Sequence, residues 1–158
     1  METGNYLQIM IDSLIKKKDI LQKIVEYNTE QESILKEAEF NGDVFQKNME
    51  LKSECIDELN RLDEGFQMVY DRVKEDVQMY KQNYKSDIER LQQLIREVTS
   101  LSAAIQTQEA RNKLQVERRF RQLREETKTA KRSMSMANQY YKNMAQISSE
   151  PQFMDKKK

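Results

Sequence analysis

From Asp43 to Glu150 only one residue, Gly65, interrupts helix-forming sequence, because no other glycine and no proline falls in that stretch. The 158-residue chain holds three glycines in all (Gly4, Gly42, Gly65) and one proline, Pro151. Tight turns draw on those two residue types, so a chain nearly without them has few turns and long elements. Ala, Glu, Lys, Leu, Gln and Arg fill the space, and all are good helix formers. With 34% charged and 37% apolar residues, this is the composition of long helices and coiled coils.

Apolar spacing divides the chain into three helices. Leu7, Ile11, Leu14, Lys18, Leu21, Val25, Asn28, Glu32 and Leu35 alternate steps of four and three, the period of a coiled-coil seam. They predict a first helix over about 5–40, with Met10, Ile24 and Ile34 widening the stripe. Lys18 sits in the seam with an apolar stem, and Asn28 is a candidate for setting register. Asn41-Gly42-Asp43 reads as a turn, with Asp43 as the N-cap of the second helix. A second seam runs through Phe45, Met49, Lys52, Ile56, Leu59, Asp63, Phe66, Tyr70, Val73, Val77, Tyr80 and Tyr84. It keeps its phase across Gly65, so one helix over about 43–83 is expected, with a break at Asp63-Glu64-Gly65 as the rival reading. Ser86 to Glu89 matches a capping box. The third seam then runs Ile88, Leu91, Ile95, Val98, Ser102, Ile105, Glu109, Asn112, Val116, Arg119 and Leu123. It turns polar after Ile105 and continues more loosely through Ala130, Met134, Ala137, Tyr141 and Met144.

These readings predict an all-α chain with one helical domain over 1–146. Three long helices form an antiparallel coiled-coil bundle, and a loose tail completes the chain over 147–158. The core is expected to bring Leu94, Ile95, Val98 and Ile105 against Leu14, Leu21, Ile56 and Leu59. At 1.5 Å per residue the first two helices span about 50–60 Å and the third, over 86–145, about 85–90 Å. The third helix is therefore expected to project beyond the bundle by roughly 20 residues, which would bare Val116, Phe120, Leu123, Met134, Met136, Tyr140, Tyr141 and Met144. A patch of this kind on a water-exposed helix marks a contact surface, and methionines suit an adaptable one.

Charge and residue inventory narrow the chemistry. Residues 1–105 carry 14 basic and 21 acidic side chains, a net of −7, and residues 106–158 carry 13 and 6, a net of +7. The basic stretch from Arg111 to Arg132 is interleaved with Glu109, Glu117, Glu125 and Glu126 and surrounds its helix, so it reads as a solvated helix face with no nucleic-acid role. The chain has no histidine and one cysteine, Cys55. That removes the commonest general base and any thiolate metal site, and neither a catalytic residue nor a metal or other cofactor is expected. No Gly-rich phosphate loop is present. The absence of a signal sequence, of a membrane-spanning run and of a second cysteine leads us to expect a cytoplasmic protein, monomeric or homodimeric.

The pattern resembles a known family. Its carriers are the Leu/Ile repeat of the first helix, then Gln31 and Glu32, the Phe40-Asn41-Gly42-Asp43 turn, Lys52 and Leu59 on the second helix and Asn112 on the third. Tyr140-Tyr141-Lys142 and a tail reading Pro151-Gln152-Phe153-Met154-Asp155-Lys156-Lys157-Lys158 complete it. Together these look like FlgN-type flagellar export chaperones of bacteria, whose architecture the FliT-type chaperones share. The resemblance implies a cytosolic, non-enzymatic chaperone that binds hook-associated proteins through their terminal helices. Such a protein would prevent their premature assembly and deliver them to the cytosolic domain of the export gate. It also implies a tyrosine contact with the gate, to which either Tyr140 or Tyr141 corresponds. The candidate client-binding residues are Val116, Phe120, Leu123, Met134, Met136 and Met144. Other readings are a FliT-like chaperone of the filament-cap protein and a coiled-coil scaffold without a client. The third helix reads as longer and more basic than is usual for the family.

Overall fold

The computed structural model describes residues 2–123 and 128–146, and every element among them is helical. α1 spans Glu2–Lys36, α2 Gly42–Met79, α3 Lys85–Leu123 and α4 Lys128–Gln146, and a short 3-10 turn, Lys81–Tyr84, joins α2 to α3. The tail expected at 147–158 lies outside the described residues.

Contacts between helices fix their directions. α1 and α3 run parallel, since Lys18–Glu97, Asn28–Gln108 and Ala38–Arg119 are separated by 79, 80 and 81 residues. α1 and α2 run antiparallel, with separations that widen from 17 at Gln31–Asn48 to 46 at Lys17–Asp63 and 73 at Thr3–Asp76. α2 and α3 both pack along α1, and α4 packs on α2 and α3 on the side away from α1. α4 runs parallel to α2, because Ser133 meets Gln46 and Tyr140 meets Lys52 further along both helices. The order around the bundle is thus α1, α2, α4, α3.

This corrects the projecting third helix. α3 stops at Leu123, and the chain reverses so that α4 lies back against the bundle. The polar seam after Ile105 is no unpartnered face. Glu109 and Asn112 meet polar seam residues of the other helices at the same level.

The core has two parts. In the lower half three helices enclose Leu7, Met10, Leu14, Phe66, Val73, Val77, Leu91 and Leu94. In the upper half α4 adds Ala137 and Tyr140 to Leu21, Ile24, Ile56, Leu59, Val98, Ile105, Val116 and Phe120. Of the expected core, Leu14, Leu21, Ile56, Leu59, Leu94, Val98 and Ile105 are buried, while Ile95 is half-buried beside Leu94.

α1 buries Lys17, Ile24 and Gln31 where the strict alternation placed Lys18, Val25 and Glu32. The cause is that α1 has two neighbours. Lys17 and Gln31 face α2, whereas Lys18 pairs with Glu97 of α3 and stays half-exposed. A helix between two partners buries a stripe wider than a two-stranded seam.

Three boundaries also differ. α1 ends at Lys36, short of Phe40. The N-cap of α2 is Asn41, whose side-chain oxygen accepts from the Val44 amide at 3.1 Å, so Asp43 already lies in the first turn. Ser86 lies inside α3, which the 3-10 turn feeds directly, so it is no N-cap. Phe40, Phe45 and Phe120 close the upper end with ring centres 5.3–5.5 Å apart, pinning the α1–α2 connection to the last turns of α3.

α2 passes through Gly65 without a break. Gly65 is exposed, and a Cβ built there meets nothing within 4 Å. Gly65→Ala is therefore expected to stabilise the protein by about 1 kcal/mol, the difference in helix propensity, read as a raised urea midpoint with unchanged slope.

Candidate functional site

All four helices contribute polar side chains to one buried layer in the upper half. The Lys52 ammonium, fully buried on α2, donates to Glu109 Oε1 of α3 at 3.0 Å and to Gln31 Oε1 of α1 at 3.3 Å. Glu109 is itself buried, and its second oxygen accepts a hydrogen bond from the Tyr140 hydroxyl of α4. The Tyr140 ring lies under the Lys52 charge, 4.2 Å from the nitrogen to the ring centre. A buried ammonium is tolerable only with such company, since an unpaired charge out of water is very costly.

The rest of the layer holds these groups in place. Gln31 donates to Asn48 Oδ1 and to the Met49 sulfur, both at 2.9 Å, and Asn48 donates to the Tyr27 carbonyl at 3.0 Å. Asn112 of α3 donates to Gln31 Oε1 at 3.2 Å and to the Asn28 carbonyl at 3.0 Å. Asn28 donates to Gln108 at 3.2 Å, while its own side-chain oxygen is buried without a partner. Gln31 is thus the joint between α1, α2 and α3. A one-turn slip of any helix would strand several of these groups, so the layer specifies register.

Burial disfavours the Lys52 ammonium and lowers its pKa, with Glu109 opposing the shift. Burial, then the Glu109 charge and hydrogen bond, raises Tyr140 well above the ordinary tyrosine value of 10.0. Tyr141 is raised as well, by burial and by Glu109 and Glu117. Cys55 is raised by burial. Neither tyrosine is therefore set up as an acid or base near neutral pH.

α4 is seated between α2 and α3 through small residues and one tyrosine. Ser133, Ala137 and Tyr140 are buried at steps of four and three. Ser133 accepts from Gln46 Nε2 at 3.0 Å. Met134, Met136, Tyr141 and Met144 lie half-buried around the seat against the upper core. Met144 also lines a crevice with Leu21, Ile24, Ile56, Leu59 and Ile105.

The candidate client-binding residues are thus brought together, though on no projecting arm. Val116 and Phe120 are buried core residues of α3, Leu123 is half-buried at its end, and Met134, Met136 and Met144 belong to docked α4. Of the two candidate gate residues, Tyr140 is 1% exposed and committed to Glu109. Tyr141 packs edge-on against it, with a buried hydroxyl lacking a partner. The basic stretch is partly used internally: Lys113 stands 5.7 Å from the Tyr141 ring centre, and Arg119 donates to the Ala38 carbonyl at 3.0 Å.

Seam spacing marks Asn28, Lys52, Glu109 and Asn112 but does not bring them to one level. It misses Gln31 by one residue and passes over Ser133. The signal for the layer is present all the same: once α1 and α2 are folded about the Phe40–Asp43 turn, polar seam residues nearest that turn must face one another. Among the described residues no group of three or more His, Cys, Asp or Glu side chains is placed to hold a metal, and no helix is long and apolar enough to cross a membrane. No protein-family model, curated protein or solved structure matches the chain.

Glu109→Leu strands the Lys52 ammonium and is expected to cost about 3–5 kcal/mol. Adding Lys52→Met removes the stranded charge and should recover most of that loss, a coupling measurable by a double-mutant cycle in urea.

The alkaline limb of stability depends on the same groups. Tyr140 and Tyr141 have folded values raised above 10.0. Their contribution is full below that pH and is lost as pH rises above it, because the unfolded chain ionises first. The Cys55 thiol acts in the same direction from its ordinary 9.0 upward, while Lys52, lowered from 10.5, acts oppositely. The melting temperature is expected to fall between about pH 9 and 11, and Tyr140→Phe with Tyr141→Phe should flatten that fall.

Proposed function

We propose that this chain is a cytosolic bacterial chaperone of flagellar export, of the FlgN type, with no enzymatic step of its own. Its clients would be hook-associated proteins, bound through their terminal amphipathic helices. The observation that carries this reading is the seat between α2 and α3, which accepts the Ser133–Ala137–Tyr140 face of α4, an amphipathic helix whose own methionines flank the contact. Helix-in-groove recognition uses such a surface. The residue pattern from the Phe40–Asp43 turn to Tyr140-Tyr141-Lys142 adds the family resemblance.

In this reading the client helix takes the place of α4. Val116, Phe120 and Leu123 line the side supplied by α3, and Met134, Met136 and Met144 cover the client from lifted α4. Lifting α4 also frees Tyr140 and Tyr141 for the cytosolic domain of the export gate.

Ser133→Glu, which places a charge at a fully buried position of the α4 seat, separates this reading from a client site elsewhere. Calorimetry of the full chain with the terminal helices of a hook-associated protein is expected to show the variant binding about tenfold more tightly than the wild type, a gain of about 1.4 kcal/mol. The filament-cap protein's terminal helices in a parallel titration distinguish a FliT-type client. Equal affinities of wild type and variant would place the client away from the seat, and no binding of either helix would overturn the chaperone reading.

A further inference from the structure

We propose that the segment of this chain that follows α4, residues 147–158, fills the groove between α2 and α3 in the lower half and thereby latches α4 into its seat. This latch does not depend on the chaperone reading.

In the upper half α4 closes the side of the bundle between α2 and α3. It ends at Gln146, and Met144 lines a crevice there with Asp63 of α2 and Ser102 of α3. The same side continues below that crevice. Phe66 and Tyr70 lie three and seven residues beyond Asp63, and Ile95 and Gln92 lie seven and ten before Ser102, so each set keeps to one helix face. Phe66, Tyr70 and Ile95 pack into the lower core. Among the described residues no fourth helix lies over this stretch. Asp63, Phe66, Tyr70, Gln92 and Ser102 nevertheless each make a polar, charged or ring contact besides those given above. An occupant of the groove supplies such contacts.

The chain after α4 is delivered to this groove. α4 keeps pace with α2, Ser133 beside Gln46 and Tyr140 beside Lys52, so Gln146 is about level with Leu59. Phe66 and Tyr70 stand about 10 and 16 Å further along α2. Phe153 follows Gln146 by seven residues, a path of about 10 Å as helix and about 23 Å extended, so its ring reaches both. Pro151 cannot continue α4 as regular helix and favours extended chain before it. Phe153 and Met154 are then the anchor of an otherwise polar segment. A ring on Phe66 and Tyr70 gives the lower half an aromatic cluster to match that of Phe40, Phe45 and Phe120. α4 itself buries only Ser133, Ala137 and Tyr140 among its described residues, so an anchor beyond its C-terminal end governs how often it lifts.

Photo-cross-linking of the full chain tests this. A benzophenone amino acid replaces Gln67, which is exposed next to Phe66, or, as a control, Glu26, which is exposed on α1. An equal mixture of nitrogen-15-labelled and unlabelled chains is illuminated and digested with trypsin. The α2 peptide carrying position 67 is expected to be joined to Asn143–Lys156, which contains Phe153, with the same isotope label in both peptides and no such product from position 26. Hydrogen exchange gives a second readout. Phe153→Asp is expected to speed exchange of the α4 amides about tenfold, while the slowest amides of α1 keep their rates. Cross-links from position 67 that miss Asn143–Lys156, or that join differently labelled chains, would overturn the proposal, as would α4 exchange left unchanged by Phe153→Asp.

Discussion

The Lys52–Glu109 pair is the constraint around which the upper half of the bundle is arranged. Two opposite charges have left water there, and their mutual attraction alone does not offset the desolvation. The remaining donors and acceptors must be met by neighbours. Gln31 from α1 and Tyr140 from α4 meet them, and Asn48 and Asn112 in turn fix Gln31. Each of the four helices thus has one allowed axial position. An apolar layer of the same volume would hold the helices as firmly, but it would tolerate neighbouring registers. In a bundle of repetitive four-three seams, adjacent registers are the main competitors of the native one. The cluster of Phe40, Phe45 and Phe120 above the layer and the apolar core below it supply the burial that the layer lacks.

Much of this fold is legible in the residues. The period of the second seam carries straight through Gly65, and α2 is one helix because that glycine is exposed and only a propensity cost stands against it. The reversal before α4 is not legible, for a physical reason. No glycine, asparagine or proline marks it between Asn112 and Asn138, and the seat that receives α4 exists only in the assembled bundle. The same cause hides the seat. Glu109 and Asn112 read as a failing seam when α3 is considered alone, because a polar seam residue looks unpartnered until its counterpart on another helix is placed opposite. Lys52, Asn28 and Asn112 are visible singly; their meeting depends on the fold of α1 back along α2. Tyr140 rather than Tyr141 turns inward because the narrow gap between α2 and α3 admits the small faces of Ser133 and Ala137, and the tyrosine in phase with them is Tyr140.

The two ends of the bundle therefore differ in how they resist opening. In the lower half three long helices and the 3-10 turn share an apolar core, and Thr3 and Tyr84 both donate to Asp76 beside it. Separating any one of those helices exposes most of that core. α4 is different. It has 19 residues, and two of its three buried contacts come from serine and alanine, which permit close approach but cover little apolar area. Its hold rests on the Tyr140 ring and on methionines that are only half-buried. Local opening free energies track buried contact, so α4 lifts at less cost than the bundle unfolds. Its departure does not leave a lone charge behind, because Lys52 and Glu109 keep each other and Gln31. The ion pair that fixes the register of α1, α2 and α3 is thus also what allows α4 to be the separable element. The face of α2 and α3 that α4 covers, Gln46, Lys52 and Glu109 among it, is reached without dismantling the frame that positions it.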